Sequence, residues 1–375
     1  MPGFSKEKRA RLQALAQGRF LQSSDPKVDA FLKRMEAEKA PVFADVYAGE
    51  MNFFNAPRRS NLDEVDLACI GIPFEASAPV RGGTRLGPRS FREWSKVRGP
   101  IHDVWRTIPF ELVSMADVGD IGFESPHDVA SCVETIRQTF AEFRRRGITP
   151  YSVGGVHTMT HPILSGLAAG EPVGLVQIDA HADTARGSFQ GNRLNDCSVF
   201  LNAALDEAID PERTIQIGMR GSLSPYWDFS REAGMRLIPM HEVYELGVKG
   251  VLEEIRRVIG DGPFYFTLDT DGIDATYLPG TELPEPFGFT TREIVQIIRG
   301  MRGMDMVGAD LVELCPPYDP NGISANTGAA LGFEVVCLLA EAHVRRHGQR
   351  RSTHWRVPEA FGVEAIGGAG REGGL

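Results

Sequence analysis

Cysteine is scarce in this chain of 375 residues, which contains only five. They are Cys69, Cys132, Cys197, Cys315 and Cys337, an odd number of residues that lie far apart in the sequence. Their spacing matches neither a structural zinc site, which needs closely spaced pairs, nor a convincing disulfide framework. We therefore expect most of these side chains to be reduced thiols.

Long apolar runs and blocks of positive charge are also absent. No apolar run reaches the roughly 18 residues that suggest a membrane span, and the N-terminal segment MPGFSKEKRARLQALAQ is charged, without the apolar region of a secretory signal. The formal net charge is -10, with acids and bases interspersed, so the basic stripe that nucleic-acid binding needs is missing. We expect a cytoplasmic protein with no membrane or nucleic-acid partner, and the acidic balance is compatible with a small cationic substrate.

Signatures of nucleotide binding and of repeat architectures are missing as well. The sequence has no GxGxxG after a first strand and no P-loop, so nucleotide binding has little support. Internal repeats and low-complexity tracts are absent apart from the Gly-rich end AIGGAGREGGL. We interpret residues 351–375 as a tail and residues 1–62, which contain two segments with helical spacing, as a helical extension.

Short apolar runs alternate with amphipathic segments from Val65 onward, and residues 63–350 are predicted to form the main domain. Near-continuous apolar strands separated by helices predict an α/β fold whose parallel sheet is covered on both faces. In such a sheet, function gathers at the carboxyl ends of the strands. The predicted strands are DLACIGI, ELVSMADVG, TPYSVGG, VGLVQIDA, TIQIGM, MRLIPM, FYFTLD and MVGADLVEL.

Acids and histidines follow three of these predicted strands. The segments are SVGGVHTMTH, GLVQIDAHADTARG and FTLDTDGID. Side chains two positions apart on an extended segment lie on one side, so we expect the second and third segments each to form a cluster. Together the three strand ends offer four carboxylates and two imidazoles, from His157, Asp179, His181, Asp183, Asp269 and Asp271.

This set of ligands is rich in oxygen and contains no thiolate. It suits two divalent ions such as Mn²⁺, with Ni²⁺ or Co²⁺ as alternatives, and excludes a Cys-rich structural zinc site. Metal cations would also remove the conflict of burying four like charges, which otherwise forces protonation. A single Asp at a strand end is usually a cap or turn residue, but two such motifs after apolar runs favour a two-metal site. For His161, a packing or capping role is favoured over support of a ligand.

The same motifs resemble those of the ureohydrolase family, which includes arginase and agmatinase. The resemblance rests on GGVHT, DAHADT, LDTDGIDATYLPGT with PEPFGFTTRE, DLVELCPPYDP and the early segment GIPFEASAPVRGGTRLGPRSFREWS, and it covers roughly residues 65–345. It implies a three-layer α/β/α sandwich with a mainly parallel sheet, a homo-oligomer such as a trimer or hexamer, and a metal-dependent amidinohydrolase. Two divalent ions per chain, Mn²⁺ or Ni²⁺, are expected.

Carried over by position, the resemblance assigns roles to the clustered residues. It implies that one metal is held by His157, Asp179, Asp183 and Asp269, and the other by Asp179, His181, Asp269 and Asp271. Glu313 matches the glutamate that binds the guanidinium group, and planar guanidinium donors suit a carboxylate. A metal-bridging hydroxide would attack the guanidinium carbon, and Asp183 would pass a proton to the departing amine.

Several positions depart from the family pattern. Asp196 and Cys197 stand where most members have a His-Gly pair, and a carboxylate there favours a more cationic or donor-rich substrate, although drift in a loop is an alternative. Glu282 and Phe287 would add a charge and a ring beside the pocket. Val156 replaces an Asp beside the first histidine, so a hydrogen bond that supports this ligand is missing or replaced. Thr270 is usually aliphatic in the family.

These departures decide the expected substrate. Ala185 lacks the amide with which arginase holds its substrate, so arginine is rejected, and only Arg186 or Arg193 could receive a substrate carboxylate. We expect cleavage of a small cationic guanidine or biguanide, such as guanidine or metformin, with Asp196, Glu282 and Glu313 as substrate residues. An agmatinase or guanidinobutyrase-type enzyme, a hydrolase of a formimino group and a supporting subunit of a hetero-oligomer are the alternatives.

Overall fold

The computed structural model describes residues 4–19, 22–37, 50–78, 80–187, 192–221 and 227–348. These residues fall into two compact units. The smaller unit contains the residues before 50 together with residues 103–106, and the larger unit contains residues 50–102 and 107–348. The expected tail, residues 351–375, lies outside the described residues.

A single sheet of eight strands, all of them paired in parallel, forms the centre of the larger unit. The strand order is β2-β1-β3-β8-β7-β4-β5-β6. All eight apolar runs in the sequence become strands, which confirms the predicted α/β class. The strands are β1 (Leu67–Ile72), β2 (Met115–Asp120), β3 (Thr149–Gly154), β4 (Val173–Ile178), β5 (Ile209–Met219), β6 (Arg236–Pro239), β7 (Phe264–Asp269) and β8 (Met306–Val312).

Helices cover both faces of the sheet, giving the three-layer sandwich. In the larger unit, α5, α6 and α7 pack against one another, while α3, α4, α9, α10 and α11 form a second connected set. Every residue of β1, β3, β4 and β7 is buried, as expected for strands covered on both faces. The helices are α1 (Lys6–Ala16), α2 (Pro26–Ala37), α3 (Gly87–Ser95), α4 (Pro109–Leu112), α5 (Val129–Arg146), α6 (Thr160–Ala168), α7 (Val199–Leu205), α8 (Asp228–Glu232), α9 (Met240–Ile259), α10 (Thr291–Gly300) and α11 (Ile323–His347).

An aromatic turn just before the first strand belongs to the core of the larger unit. The rings of Phe53 and Phe54 are buried and meet the ring of Phe91 edge-on, with centroids 5.7 and 5.6 Å apart. The Phe53 backbone N–H also donates to the buried carboxylate of Asp117. Residues 50–62 thus fall in the same compact unit as the sheet.

The helical segments of the smaller unit differ in burial. Helix α1 has no buried residue, whereas α2 buries one face made of Val28, Phe31, Leu32 and Met35.

In the larger unit, the segment Pro320–His347, which contains α11, is long and apolar enough to cross a membrane by composition alone. In its most apolar stretch 78% of the residues are buried, as in the core helix of a folded domain. All five cysteines are free thiols.

Candidate metal centre and substrate cavity

Four neighbouring strands in the middle of the sheet carry the candidate site. In spatial order they are β3, β8, β7 and β4. Because the strands are parallel, the residues that follow them meet at one edge of the sheet. His157 follows β3, Glu313 follows β8, Asp269 ends β7 with Asp271 two positions later, and Asp179, His181 and Asp183 follow β4.

The backbone at this edge adopts conformations that bring the strand ends together. Asp183 and Glu313 both have positive φ angles, of 51° and 64°, which residues other than glycine rarely adopt. The Glu313 backbone N–H donates to the carbonyl of Gly155, at 2.9 Å. Gly155 itself has no room for a side chain, because a Cβ there would overlap the carbonyl of Phe74. The glycine pair after β3 therefore permits the close approach on which the site depends.

The first group of ligand atoms surrounds the imidazole of His157. Its Nδ1 lies 3.2 Å from Asp179 Oδ2, 3.2 Å from Asp269 Oδ2 and 2.9 Å from Asp183 Oδ2. Nevertheless, this buried nitrogen forms no hydrogen bond within the described residues. Donor atoms that converge in this way without bonding to one another fit a shared cation.

The second group surrounds the imidazole of His181. Its Nδ1 lies 3.0 Å from Asp271 Oδ2 and 3.7 Å from Asp179 Oδ1, and these three residues offer ligand atoms within 4.8 Å of one another. On the opposite side of the ring, Nε2 lies 3.6 Å from Glu285 Oε1. Asp179 thus belongs to both groups, and the structure brings together all six residues that the sequence singled out.

Backbone and amide donors hold the carboxylates in place. The N–H of His181 donates to Asp179 Oδ1 at 2.6 Å, and the N–H of Asp271 donates to Asp269 Oδ1 at 2.9 Å. Asp271 Oδ1 accepts from the Ala180 N–H at 3.0 Å. Each of these carboxylates keeps its Oδ2 toward an imidazole, so the fold presents one oxygen of each to the centre of the cluster.

A buried amide pair supports the shared aspartate. Gln177 Nε2 donates to Asp179 Oδ2 at 2.7 Å and to the His181 carbonyl at 2.9 Å. Gln216 Nε2 in turn donates to Gln177 Oε1 at 2.6 Å. These two glutamines were not predicted from the sequence. A glutamine within the apolar run VGLVQIDA, two positions before a predicted ligand, indicates a side chain on the same side of the strand as that ligand.

The electrostatics of the cluster require compensation by cations. Burial, together with the charges of Asp271 and Asp183, raises the pKa of Asp179 to about 7. Burial also raises the pKa of Asp269 well above its ordinary value. For His181, burial lowers the pKa, but Asp271 outweighs this effect and raises it to about 12. Divalent cations would replace the protons that this buried cluster otherwise needs, so the residues fit a two-metal centre.

A threonine takes the place of the missing acid beside the first histidine. His157 Nε2 lies 3.0 Å from Thr267 Oγ1, and this contact leaves Nδ1 free for the cluster. The nearby buried carboxylate of Asp310 accepts from the hydroxyls of Thr160 and Tyr265 at 2.7 and 2.9 Å. The support that Val156 cannot give is therefore replaced from β7.

A cavity of about 300 Å³ opens beside the cluster. Five of the predicted metal ligands line it, namely His157, His181, Asp183, Asp269 and Asp271, while Asp179 lies fully buried behind them. The three predicted substrate residues, Asp196, Glu282 and Glu313, also line it. The sequence analysis missed Trp227 and Leu283, whose side chains give the cavity an apolar wall.

Three carboxylates face this cavity in addition to the metal cluster. Glu313 Oε1 accepts from the His157 backbone N–H at 2.5 Å, and Asp196 Oδ1 accepts from the Thr158 backbone N–H at 3.0 Å. Glu282 Oε1 accepts from two backbone N–H groups of the early loop, at 2.8 and 2.6 Å. Burial raises the pKa of all three carboxyl groups, to about 7 for Asp196.

The other predicted neighbours of the pocket differ in whether they line it. Phe287 is 76% exposed and does not line the cavity, so the prediction that its ring lies beside the pocket is wrong. Arg186 lines the cavity as an exposed residue, whereas the exposed Arg193 does not. His161 is also outside the cluster, because its Nε2 pairs with Asp206 Oδ2 at 2.7 Å.

Comparisons with known proteins agree with this geometry. A family model described as Arginase family matches residues 65–338. The chain is 40% identical to the guanidinopropionase of Pseudomonas aeruginosa over 80% of this chain and 94% of that protein, and 36% identical to its guanidinobutyrase over 75% and 88%. The structure of proclavaminate amidino hydrolase from Streptomyces clavuligerus superposes with a TM-score of 0.76, at 30% identity over 80% of this chain and 100% of that chain.

Proposed function

The chain belongs to the arginase family of metal-dependent amidinohydrolases, and we propose that it hydrolyses a C–N bond of a small guanidino compound, releasing urea and an amine. The observation that carries this proposal is a cavity lined both by five of the six clustered acid and histidine side chains and by the Glu313 carboxylate. Relatives named guanidinobutyrase and agmatinase support a substrate of the guanidinobutyrase or agmatinase type.

Six residues would hold two divalent ions in the proposed enzyme. The family resemblance implies that His157, Asp179, Asp183 and Asp269 would hold one ion, and that Asp179, His181, Asp269 and Asp271 would hold the other. When bound, such ions lower the pKa of water and so supply hydroxide at neutral pH. Mn²⁺ and Ni²⁺ both accept this mixture of imidazole and carboxylate ligands.

The protein's own groups would bind the substrate and move a proton. Glu313 would accept N–H donors of the guanidinium group, which orients the guanidinium carbon toward the metal cluster. Asp183 lies beside His157 at the cavity wall, so it is placed to accept a proton and pass it to the departing amine. No covalent intermediate with the protein is needed.

A panel of substrates tests this proposal directly. The full chain would be stripped of metal, reloaded with Mn²⁺ or Ni²⁺, and assayed with agmatine, 4-guanidinobutyrate, 3-guanidinopropionate, guanidine, metformin and arginine. Urea and amine would be measured separately, because a biguanide could lose an amine without forming urea. We expect urea from agmatine or 4-guanidinobutyrate and none from arginine. Chelation should lower kcat/KM about 100-fold or more, because the loss of a residue that merely supports a metal ligand already costs 10- to 100-fold.

Two outcomes would contradict the proposal. Full activity after exhaustive chelation would exclude the metal mechanism. Absence of product from every compound, with two ions bound per chain, would favour the supporting-subunit alternative, and activity that returned only with a second polypeptide would establish it.

Free guanidine or a biguanide is the second candidate substrate. It is favoured by the acidic lining of Asp196, Glu282 and Glu313, and by Ala185, which offers no amide to an amino-acid group. The same panel distinguishes it, because it predicts turnover of guanidine or metformin above that of agmatine. We further propose that the enzyme is cytoplasmic and forms a homo-oligomer. Measurement of its molecular mass in solution is the direct test of the oligomeric state.

A further inference from the structure

Two carboxylates of the cavity are anchored side by side. Glu313, which follows β8, and Asp196, which precedes α7, accept from the N–H groups of consecutive residues, His157 and Thr158. Asp196 Oδ1 also accepts from the hydroxyls of Thr158 and Ser77. Residues from distant parts of the sequence therefore place two like charges next to each other beside the metal cluster.

Each of these carboxylates keeps one oxygen without a partner. Asp196 Oδ2 and Glu313 Oε2 are buried and form no hydrogen bond within the described part of the chain. The two residues are only 8% and 5% exposed. Leaving a buried acceptor unsatisfied, and two buried anions unpaired, is costly. Two open acceptors on one cavity wall therefore indicate a ligand with several donors.

The protein supplies no cation to this pair from the described lining of the cavity. The imidazoles of His157 and His181 belong to the metal cluster, and Arg186 is exposed. Glu282 adds a third carboxylate, which is buried and held by backbone N–H groups. A cationic ligand would balance these charges, whereas a substrate that carries its own carboxylate would be repelled by them.

We propose that Asp196 is a specificity-determining residue, which together with Glu313 forms a carboxylate pair that binds the guanidinium group of the substrate and selects guanidino compounds without a carboxylate. A guanidinium presents five or more N–H donors in one plane, enough for both carboxylates, whereas a simple ammonium presents three on one atom. The donors of the pair's ligand thus favour a guanidinium over an ammonium, and the negative charge of the pair disfavours guanidino acids, which carry a carboxylate of their own. This inference deepens the proposed function and rests on it.

The variant Asp196→Asn tests the pair. Its amide oxygen can still accept from Thr158, but its charge is lost and its NH₂ group adds donors where acceptors are needed. We expect the KM for agmatine to rise about tenfold to a hundredfold, as the loss of charge-assisted hydrogen bonds implies. The kcat and the metal content should stay near those of the wild type, and the preference for agmatine over 4-guanidinobutyrate should fall by a similar factor.

Asp128→Asn is the matched control. Asp128 also accepts a backbone N–H at a helix start, from Ser131 at 3.2 Å, but it lies away from the cavity. Asn caps a helix about as well as Asp, so this variant should keep the wild-type KM. Asp196→Ser, which has a smaller side chain, provides a second variant if Asp196→Asn folds poorly. Thermal unfolding establishes that each protein is folded.

Binding measurements separate this inference from the proposed function. Calorimetric titration of the metal-loaded proteins with guanidinium chloride at millimolar concentration needs no turnover. At least tenfold weaker binding to Asp196→Asn or Asp196→Ser supports the pair, even if the wild type releases no urea and the proposed function fails. Equal binding of guanidinium and an unchanged KM in folded, metal-loaded variants would overturn the pair, even if the enzyme is an active amidinohydrolase.

Discussion

Thr267 supports the imidazole of His157 from inside an apolar strand. Its hydroxyl lies 3.0 Å from His157 Nε2, so it can fix both the ring orientation and the tautomer of the histidine. A polar side chain inside an apolar strand here has a role that its neighbours in sequence do not reveal.

Replacing Thr267 by Val keeps the shape of the side chain and removes the hydroxyl. We expect the affinity for Mn²⁺ to fall about 10- to 100-fold, because partners of metal ligands typically contribute this much. Competition with a chelator of known affinity measures the change. Thr214→Val is the control, since Thr214 is equally buried in β5 but bonds only to the Asp210 carbonyl. Equal metal affinity in both variants would show that Thr267 does not support the ligand.

The helices on one side of the sheet are joined by a buried acid. Glu334 of α11 accepts from Arg299 of α10, with N–O distances of 2.5 and 2.9 Å, and lies 2.7 Å from His102 Nε2. Burial alone would raise the pKa of Glu334, but Arg299 and His102 outweigh it, so the pKa lies below its ordinary value of 4.5. This interaction therefore stabilises the fold only while the carboxyl group is ionised.

A pH series tests this helix contact. A lowered pKa contributes stability above pH 4.5, and the contribution is lost as the pH falls through the folded-state value. We expect Glu334→Gln to lose about 2 kcal/mol of unfolding free energy at pH 7, and the difference from wild type to shrink toward pH 3. Urea unfolding at several pH values measures it. The control is Glu171→Gln, at an exposed ion pair, which should change little at any pH. A difference that is constant with pH would contradict the assignment.

We expect the stability of the whole molecule to depend on bound metal, because the fold buries four carboxylates at one point. Any ligand that binds only the folded state stabilises it, by about 2.7 kcal/mol at a hundred times its Kd. For a domain of this size, with an unfolding entropy of about 0.6–0.8 kcal/mol/K, we expect Mn²⁺ at that concentration to raise the Tm by roughly 3–5 °C over the chelated protein. Differential scanning calorimetry with and without chelator measures the shift.

Asp179→Asn shows whether this stabilisation comes from the proposed centre. Asp179 contributes to both groups of ligand atoms, so the variant should bind less than one ion per chain and respond little to added Mn²⁺. Asp63→Asn, at an exposed residue, should behave like the wild type. If Asp179→Asn gained the full rise in Tm, the stabilising ions would be bound elsewhere.

The sequence by itself determined the eight strands and the six clustered ligands, because both follow from local patterns. Buried strands of a parallel sheet are continuously apolar, and acids or histidines directly after them must lie at one edge of that sheet. It did not reveal α11, a helix apolar on most sides, because a helix without a polar face has no 3.6-residue period. Nor did it reveal that Phe53 and Phe54 belong to the core.

Only the tertiary structure decided what surrounds those ligands. Thr267 reaches His157 across 110 residues of sequence, and Asp196 reaches Thr158 across 38, so neither pairing could be derived from spacing. The sequence placed Phe287 beside the substrate and missed Trp227, because the direction of a loop side chain depends on long-range packing. Local chemistry along the chain therefore determines the reaction centre, whereas contacts between distant segments determine the shape and charge of the substrate cavity.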